Sequence, residues 1–328
     1  MRSADPAISV PIPTRSKLDP QVEQFVRAMD ADASRFGRRE TVSIAEARDI
    51  AETVRRRWVE GGPVMANRVE HTVPTRHGEV LIRAHYPQVR ALPGVFVYLH
   101  GGGFVLGSLD THDRVMREYA QRAGIVVIGV HYTRAPEAKF PRPMQECADV
   151  LRWVSAHGEL LAVDTAQLFV GGDSAGAIFS MGASLEMRDR GEALLKGIVL
   201  NYGSMSSNLC RNSVIQYGGG DYGLSLMSMV WFRAMHFSHG ADFTDPRIDI
   251  LRADLRGLPP TWMVVAECDP VHDDMIELDR LMREAGNEVQ KKVYPGAAHS
   301  FLEAVSISDL AVEAFEDTAR WLREKSAA

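Results

Sequence analysis

The stretch LFVGGDSAGAIF, residues 168–179, decides the fold of this chain, and at its centre Gly172-Asp173-Ser174-Ala175-Gly176 matches the pattern G-x-S-x-G. A short apolar run that predicts a buried strand leads into this motif, and residues 175–190 are typical of a helix. A nucleophile elbow needs this order of strand, tight turn and helix, because small flanking residues let the backbone fold sharply and present the serine hydroxyl. The motif therefore predicts Ser174 as a nucleophile. The alternative is a serine that only caps the helix after a glycine turn.

Apolar runs of strand length alternate with amphipathic stretches of helical length on both sides of the motif. The strand candidates are residues 94–100, 125–132, 167–172, 197–203, 261–268 and 289–294, and the helix candidates are residues 111–122, 144–157, 175–190 and 273–285. A hairpin at residues 69–75 and 80–86 precedes them, with His77-Gly78 at its turn. This alternation predicts an α/β fold with a mainly parallel central sheet that is covered by helices on both faces.

Two regions do not follow the alternation. Residues 18–60 have apolar residues at helical spacing until Gly61-Gly62-Pro63, and they precede every strand candidate. Residues 205–257 form a long insertion between two strand candidates. A segment of that length between strands is either functional in itself or a cap. We expect both regions to be additions to the sheet domain.

A second glycine motif, His100-Gly101-Gly102-Gly103-Phe104, follows the strand candidate at residues 94–100. Successive glycines let backbone N–H groups point into a cavity without interference from a Cβ atom. An oxyanion hole needs such fixed donors, and in esterases they act with the N–H of the residue after the nucleophile, here Ala175. A phosphate loop is the alternative, but its G-x-G-x-x-G spacing would need glycine at Leu106, and no Gly-Lys-Ser/Thr follows.

A nucleophilic serine also needs an orienting acid and a base, which follow it in that order in this kind of fold. Asp269 comes directly after the strand candidate at residues 261–268, at the sheet edge where open α/β sheets place their ligand crevice. An Asp before a Pro is also a good helix cap, and Asp273 is the second candidate for the acid. His299 follows the last strand candidate in the loop YPGAAHSF, residues 294–301, and is the predicted base.

Composition excludes several other classes of function. The net charge of −6 is spread without a basic tract, so neither nucleic acid nor an anionic membrane surface is an expected partner. The chain has no apolar run long enough to span a membrane, and residues 1–20 do not have the pattern of a secretory signal. Its three cysteines fit a reducing compartment, so we expect a cytoplasmic protein. His236 and His239 have the spacing of a metal pair, but without an acidic cluster we predict solvent-exposed helix histidines.

Taken together, these motifs resemble the hormone-sensitive-lipase-like branch of the α/β hydrolases, the bacterial family IV esterases. HGGGF (100–104), GDSAG (172–176), DP-x-x-D (269–273) and the histidine of the final loop occur in the family's order and at similar spacing, over nearly the whole chain. The segment YTRAPE, residues 132–137, resembles the family's Y-R-L-A-P-E and departs from it at Thr133 and Arg134.

The resemblance implies an α/β-hydrolase fold with a helical cap: residues 1–62 as the N-terminal cap segment, and residues 63–328 as the catalytic domain with a cap insertion at about 205–257. It implies cis peptide bonds at Ala135-Pro136 and Phe140-Pro141, and a homodimer through the edge strand at 289–294 and the last helix. It also implies the role of each site residue: Ser174 as nucleophile, His299 as base, Asp269 as its orienter, and the N–H groups of Gly101, Gly102, Gly103 and Ala175 as oxyanion donors.

The expected function is a cytoplasmic serine carboxylesterase that hydrolyses small, short-acyl esters through an acyl-enzyme, with no metal or organic cofactor. An acyltransferase, a lactonase or an amide deacetylase would use the same residues and is the alternative. A non-enzymatic ligand receptor is a more distant alternative. Plant gibberellin receptors resemble this family but lack the catalytic histidine, which is present here as His299. Six apolar side chains are candidates for the substrate pocket or for the cap core: Phe104, Tyr217, Tyr222, Met229, Trp231 and Phe232.

Overall fold

The computed structural model describes residues 17–327, and one sheet runs through it. Its strands are β1 (Asn67–Thr75), β2 (Gly78–Tyr86), β3 (Val95–Leu99), β4 (Val126–His131), β5 (Leu168–Asp173), β6 (Gly197–Asn201), β7 (Thr261–Cys268) and β8 (Val289–Ala298). Their order is β1-β2-β4-β3-β5-β6-β7-β8. The β1–β2 and β2–β4 pairs are antiparallel and all the other pairs are parallel. The predicted mainly parallel sheet is confirmed.

Helices cover both faces of this sheet. They are α1 (Pro20–Ala33), α2 (Ile44–Val59), α3 (Asp113–Ala123), α4 (Arg142–Ala156), α5 (Gly158–Leu161), α6 (Ala175–Asp189), α7 (Asn212–Tyr217), α8 (Leu226–His236), α9 (His272–Glu284) and α10 (Asp309–Ala327). Side chains of β3 alternate between two cores, since Val97 packs with residues of α4, α6 and α9, while Tyr98 packs with residues of α3 and α10. Each large apolar side chain buried in this way contributes about 1.5–3 kcal/mol.

The carboxyl ends of the parallel strands bring the candidate motifs to one edge of the sheet. Residues 100–104 follow β3, Ser174 follows β5, Asp269 follows β7 and His299 follows β8. The predicted strand at 289–294 continues to Ala298, with a register shift against β7 between Ala266 and Cys268. Both predicted cis bonds, Ala135-Pro136 and Phe140-Pro141, are present.

The N-terminal helices and the insertion meet over this edge. The Asp19 N–H donates to the carbonyl of Gly296, 2.9 Å away, which ties the start of α1 to β8. Ser228 Oγ of α8 donates to Glu40 Oε1 at 2.9 Å, so the insertion also contacts the segment between α1 and α2. Residues 1–16 of the predicted cap segment lie outside the described residues. Among the helices of residues 17–327, none combines the length and the apolar character that a membrane crossing needs.

Candidate active site

Ser174 lies in a strained turn between β5 and α6. Its φ and ψ are 53° and −116°, a conformation that a residue with a side chain adopts only when its surroundings impose it. A Cβ atom at Gly172 or at Gly176 would overlap the carbonyl oxygen of Leu99 on β3. The two glycines of the motif therefore allow β3 to approach closely enough for this turn, which matches the geometry of a nucleophile elbow.

A chain of two hydrogen bonds joins the three residues named from the sequence. The distance from His299 Nε2 to Ser174 Oγ is 2.9 Å, and the distance from His299 Nδ1 to Asp269 Oδ2 is 2.8 Å. Because a carboxylate only accepts, Nδ1 carries the proton in the neutral imidazole and Nε2 faces the hydroxyl as an acceptor. This arrangement is suited to removing the proton from Ser174.

The structure separates the two acidic candidates. Asp269 is fully buried, and its second oxygen, Oδ1, accepts the N–H of Val271 at 3.0 Å, so it orders the turn before α9 and also faces His299. Asp273 Oδ2 instead accepts the N–H of Ser213 at 2.9 Å, at the start of α7. Asp269 is therefore the carboxylate that holds the imidazole.

The surroundings of His299 favour its protonated form. Burial lowers the pKa of its imidazole, but the carboxylate of Asp269 and, less closely, that of Asp173 outweigh burial, so the pKa is raised above the ordinary 6.5. Its backbone N–H donates to the carbonyl of Tyr222 at 3.2 Å, and the ring of Tyr202 meets it edge-on at 5.3 Å. The insertion therefore contacts the histidine directly.

The glycine motif offers fewer donors than predicted. The N–H of Gly101 donates to Asp173 Oδ1 at 2.9 Å, so this amide is occupied and the prediction of Gly101 as an oxyanion donor is wrong. The amides of Gly102, Gly103 and Ala175 have no acceptor among the described residues, and all three residues line the same cavity as Ser174. These three N–H groups can receive an oxyanion next to the hydroxyl.

Asp173, which the sequence reasoning left without a role, holds the glycine motif in place. It also accepts a hydrogen bond from the Tyr98 hydroxyl at 2.7 Å, and His112 Nε2 lies 3.4 Å from its other oxygen. Burial alone would raise the pKa of this carboxyl, but His112 and the hydrogen bonds lower it to about 2, so it is ionised. Its place in the sequence could have indicated this role. Asp173 directly precedes Ser174 at the end of β5, and β5 pairs with β3, the strand that leads into the three glycines.

Two connected cavities open at the candidate site. The first, here called the catalytic cavity, has a volume near 70 Å³ and is lined by Ser174, Ala175, His299 and part of the insertion. The second, here called the cap cavity, has a volume near 340 Å³ and lies between α1, α2 and His299. Of the six apolar candidates, Phe104, Met229 and Phe232 line the catalytic cavity, and Tyr217, Tyr222 and Trp231 line neither of the two.

His236 differs from its prediction. It is fully buried, and its ring stacks on Phe104 with 4.1 Å between the ring centres. Burial lowers the pKa of this imidazole to about 3, so it is neutral and packs as an aromatic ring. His239 is exposed, as predicted. The insertion buries one member of the pair because α8 packs against the glycine motif.

The chain is similar to known proteins over most of its length. The profile of a family described as having the alpha/beta hydrolase fold matches residues 96–303. A hyperthermophilic esterase from the archaeon Pyrobaculum calidifontis is 30% identical, with 95% of this chain and 100% of that chain covered at a TM-score of 0.88.

Two further solved structures are as similar in sequence. An ester-hydrolase from the metagenome of Lake Arreo, complexed with a bipyridine phosphonate derivative, is 30% identical with coverage of 95% and 100% and a TM-score of 0.88. The thermostable carboxylesterase EstE1 from a metagenomic library is 30% identical, with 87% of this chain and 98% of that chain covered at a TM-score of 0.83. The chain therefore belongs to the alpha/beta-hydrolase family, in the hormone-sensitive-lipase-like branch that its motifs resemble.

Proposed function

We propose that this protein is a serine carboxylesterase with Ser174, His299 and Asp269 as its catalytic residues. One observation carries the proposal: the hydroxyl, the imidazole and the carboxylate form a continuous hydrogen-bonded chain beside three unoccupied backbone N–H groups. Three similar solved structures are described as esterases or ester hydrolases, which supports the same chemistry here.

In the acylation step, His299 Nε2 takes the proton of Ser174 while Oγ attacks the ester carbonyl carbon. The carbonyl oxygen becomes an oxyanion, which the N–H groups of Gly102, Gly103 and Ala175 stabilise. Asp269 keeps the proton of the imidazole on Nδ1 and stabilises its cationic form. His299 then gives the proton to the alkoxy oxygen, the C–O bond breaks, and the alcohol leaves.

In the deacylation step, a water molecule takes the place of the alcohol. His299 removes one proton from it, the hydroxide attacks the acyl-enzyme, and the same N–H groups stabilise the second tetrahedral intermediate. Its collapse returns the proton to Ser174 Oγ and releases the carboxylic acid. All the proton transfers of the cycle pass through one imidazole.

The two cavities suggest where each part of the ester lies. His299 must deliver a proton to the leaving oxygen, and it lines both cavities, whereas Ser174 and the oxyanion donors line only the catalytic cavity. The alcohol part then extends into the cap cavity and the acyl part stays in the catalytic cavity. The volume of the catalytic cavity, near 70 Å³, is much smaller than the 340 Å³ of the cap cavity, which favours short acyl chains.

In a series of p-nitrophenyl esters with acyl chains of two to about sixteen carbons, we therefore expect the highest kcat/KM for the short chains. The kcat/KM should decrease at least about tenfold between butanoate and octanoate, because a longer chain overpacks the catalytic cavity. Release of p-nitrophenol, with Ser174→Ala as the blank, measures this. Equal or rising kcat/KM up to octanoate would contradict the acyl assignment of the cavity.

A pH profile tests the role of His299. The base must be neutral to act, and the pKa of His299 is raised, so activity should be lost as pH falls through a value above 6.5. The measurement is a profile of kcat/KM from about pH 5 to 9 with a neutral ester. We expect the midpoint of its acidic limb to lie above pH 6.5. An acidic limb at or below 6.5 would show that the carboxylates do not raise this pKa.

Three finer features stay predictions. The pieces of the proposed cap are residues 17–62 of the described N-terminal segment and the insertion at 205–257, which contact each other through Ser228 and Glu40. The proposed homodimer needs a free strand, and β8 is at the edge of the sheet. None of the three cysteines forms a disulfide, which is consistent with the proposed cytoplasmic location.

A further inference from the structure

The charges around the catalytic cavity do not balance. The ionisable side chains that line it are Arg39, Arg55, His112, Asp173, Arg233, His299 and Glu303. Most of them are paired: Arg55 with Glu303 at 2.9 Å, His112 with Asp173 at 3.4 Å, and His299 with Asp269 at 2.8 Å. Arg39 and Arg233 have no ion pair among the described residues. The cavity therefore carries an excess of positive charge.

Arg233 on α8 is the more deeply buried of the two, with 7% of its surface exposed. Its Nη2 donates to the carbonyl of Ser206 at 2.6 Å and to Ser204 Oγ at 3.3 Å, but its Nη1 has no hydrogen-bond partner in the described part of the chain. The hydroxyl of Ser207, which lines the same cavity, is also buried and has no partner among residues 17–327. Two donors of residues that line the catalytic cavity are thus unused.

The nearest carboxylates do not neutralise Arg233. Burial lowers the pKa of its guanidinium, and the charges of Asp274 and Asp249 act against this from a distance. Asp274 is bound to Arg211 at 2.7 Å, and Asp249 is bound to Arg252 at 2.9 Å. A buried charge without a counter-ion is costly to the fold, so an anion that enters the cavity would gain most of the missing interaction.

Arg233 lines the same cavity as Ser174 and His299. Its neighbour Phe232 packs against the oxyanion loop so tightly that a Cβ atom on Gly103 would overlap the phenyl ring. Its partner Ser204 is two residues from Tyr202, whose ring contacts His299. Because Ser174 and Arg233 line the same cavity, an acyl chain that starts at Ser174 and stays in this cavity can reach the guanidinium.

We propose that the acyl part of the preferred substrate ends in a carboxylate, which Arg233 and Ser207 bind. The substrate class is then a monoester of a short dicarboxylic acid. The planar guanidinium matches a carboxylate, and a charge-assisted hydrogen bond is about twice as strong as a neutral one. The inference rests on the proposed esterase function and adds the substrate class to it.

The test compares esters that differ only in charge. The p-nitrophenyl monoester of glutaric acid carries the carboxylate, and p-nitrophenyl 5-methylhexanoate is its neutral isostere. We expect the wild-type enzyme to favour the anionic ester at least about tenfold in kcat/KM. Ser174→Ala serves as the blank, because a neighbouring carboxylate can hydrolyse such esters without the enzyme.

Variants then assign the effect to Arg233. Arg233→Met should lower kcat/KM for the anionic ester about 10- to 100-fold, mainly through KM, and should change the neutral isostere by less than about threefold. Arg233→Lys should recover part of the loss. Arg256→Met removes the same charge from an exposed position of the insertion, outside the catalytic cavity, and should leave both esters unchanged.

Each outcome bears on one proposal. Hydrolysis of neutral esters without an anionic preference in the wild-type enzyme overturns this inference and leaves the esterase function intact. Equal losses for both esters in Arg233→Met overturn it as well, because they show a structural role. Hydrolysis of no ester at all contradicts the esterase function itself. If Arg233→Met fails to fold, two measurements still test the inference. One is the comparison of the two esters with the wild-type enzyme, and the other is Ser207→Ala, which should lower kcat/KM for the anionic ester only.

Discussion

Replacing Ser174 by alanine is expected to lower kcat for p-nitrophenyl acetate by about 10⁵-fold or more, because among the described residues only this hydroxyl is hydrogen-bonded to His299 Nε2 and activated as a nucleophile. The alanine keeps the small side chain of the turn and leaves the oxyanion donors in place, so the fold should persist. Steady-state release of p-nitrophenol measures the loss, and circular dichroism with thermal melting verifies the fold.

A matched control lies on the helix that follows the elbow. Ser184 on α6 is buried and donates to the carbonyl of Ser180 at 2.7 Å, but it does not line the catalytic cavity. Ser184→Ala should therefore retain activity within about threefold of the wild type. An aryl phosphonate should also add to the wild-type protein once, as intact mass reports, and should leave Ser174→Ala unmodified. Turnover in Ser174→Ala above about one hundredth of the wild-type value would exclude this serine as the nucleophile.

Replacing Asp269 by asparagine is expected to lower kcat about 10³- to 10⁴-fold at neutral pH. An amide can donate to Nδ1 of His299, which would move the imidazole proton to Nε2 and remove the acceptor that faces Ser174. Among the groups that raise the pKa of His299, the carboxylate of Asp269 contributes most. Its loss should therefore also move the acidic limb of the rate profile to lower pH. Rate profiles over pH with the same neutral ester report both effects.

The matched control for this change is Asp273→Asn. Asp273 caps the start of α7 through the N–H of Ser213 and does not contact the imidazole. We expect its kcat to stay within about threefold of the wild type, with a loss of stability of about 1 kcal/mol from the weakened cap. A larger loss of kcat in Asp273→Asn than in Asp269→Asn would make Asp273 the orienting acid.

The elements that carry the site follow from local sequence. The strand β5, the turn at Ser174 and the helix α6 are adjacent in the chain, so an apolar run, small residues and a helical stretch were sufficient to predict them. The predicted strand at 261–268 is β7 with the same bounds. Because open α/β sheets place their crevice at the carboxyl ends of strands, the motifs after these strands were expected at one edge.

The end of β8 shows where local preference was insufficient. The residues Pro295 and Gly296 have low strand propensity, and the predicted strand stopped at 294. In the structure, β8 continues to Ala298, where its partner is Cys268 of β7. Pro295 and Gly296 lie within the register shift between the pairs Ala266–Tyr294 and Cys268–Ala298, so the strand passes them unpaired and pairs again at Ala298, directly before His299.

The sequence by itself determined the fold class, the strand and helix order, and the residue types of the site. Only the tertiary structure decided that Asp269 rather than Asp273 faces His299, that the N–H of Gly101 is bound by Asp173, that His236 is buried, and that Arg233 has no ion pair within residues 17–327. The physical reason is distance along the chain. His299 is 30 residues from Asp269 and 125 from Ser174, and Gly101 is 72 from Asp173. Which of several suitable groups meet is set by the packing of β3, β5, β7, β8 and the insertion, and this is not a property of any single segment.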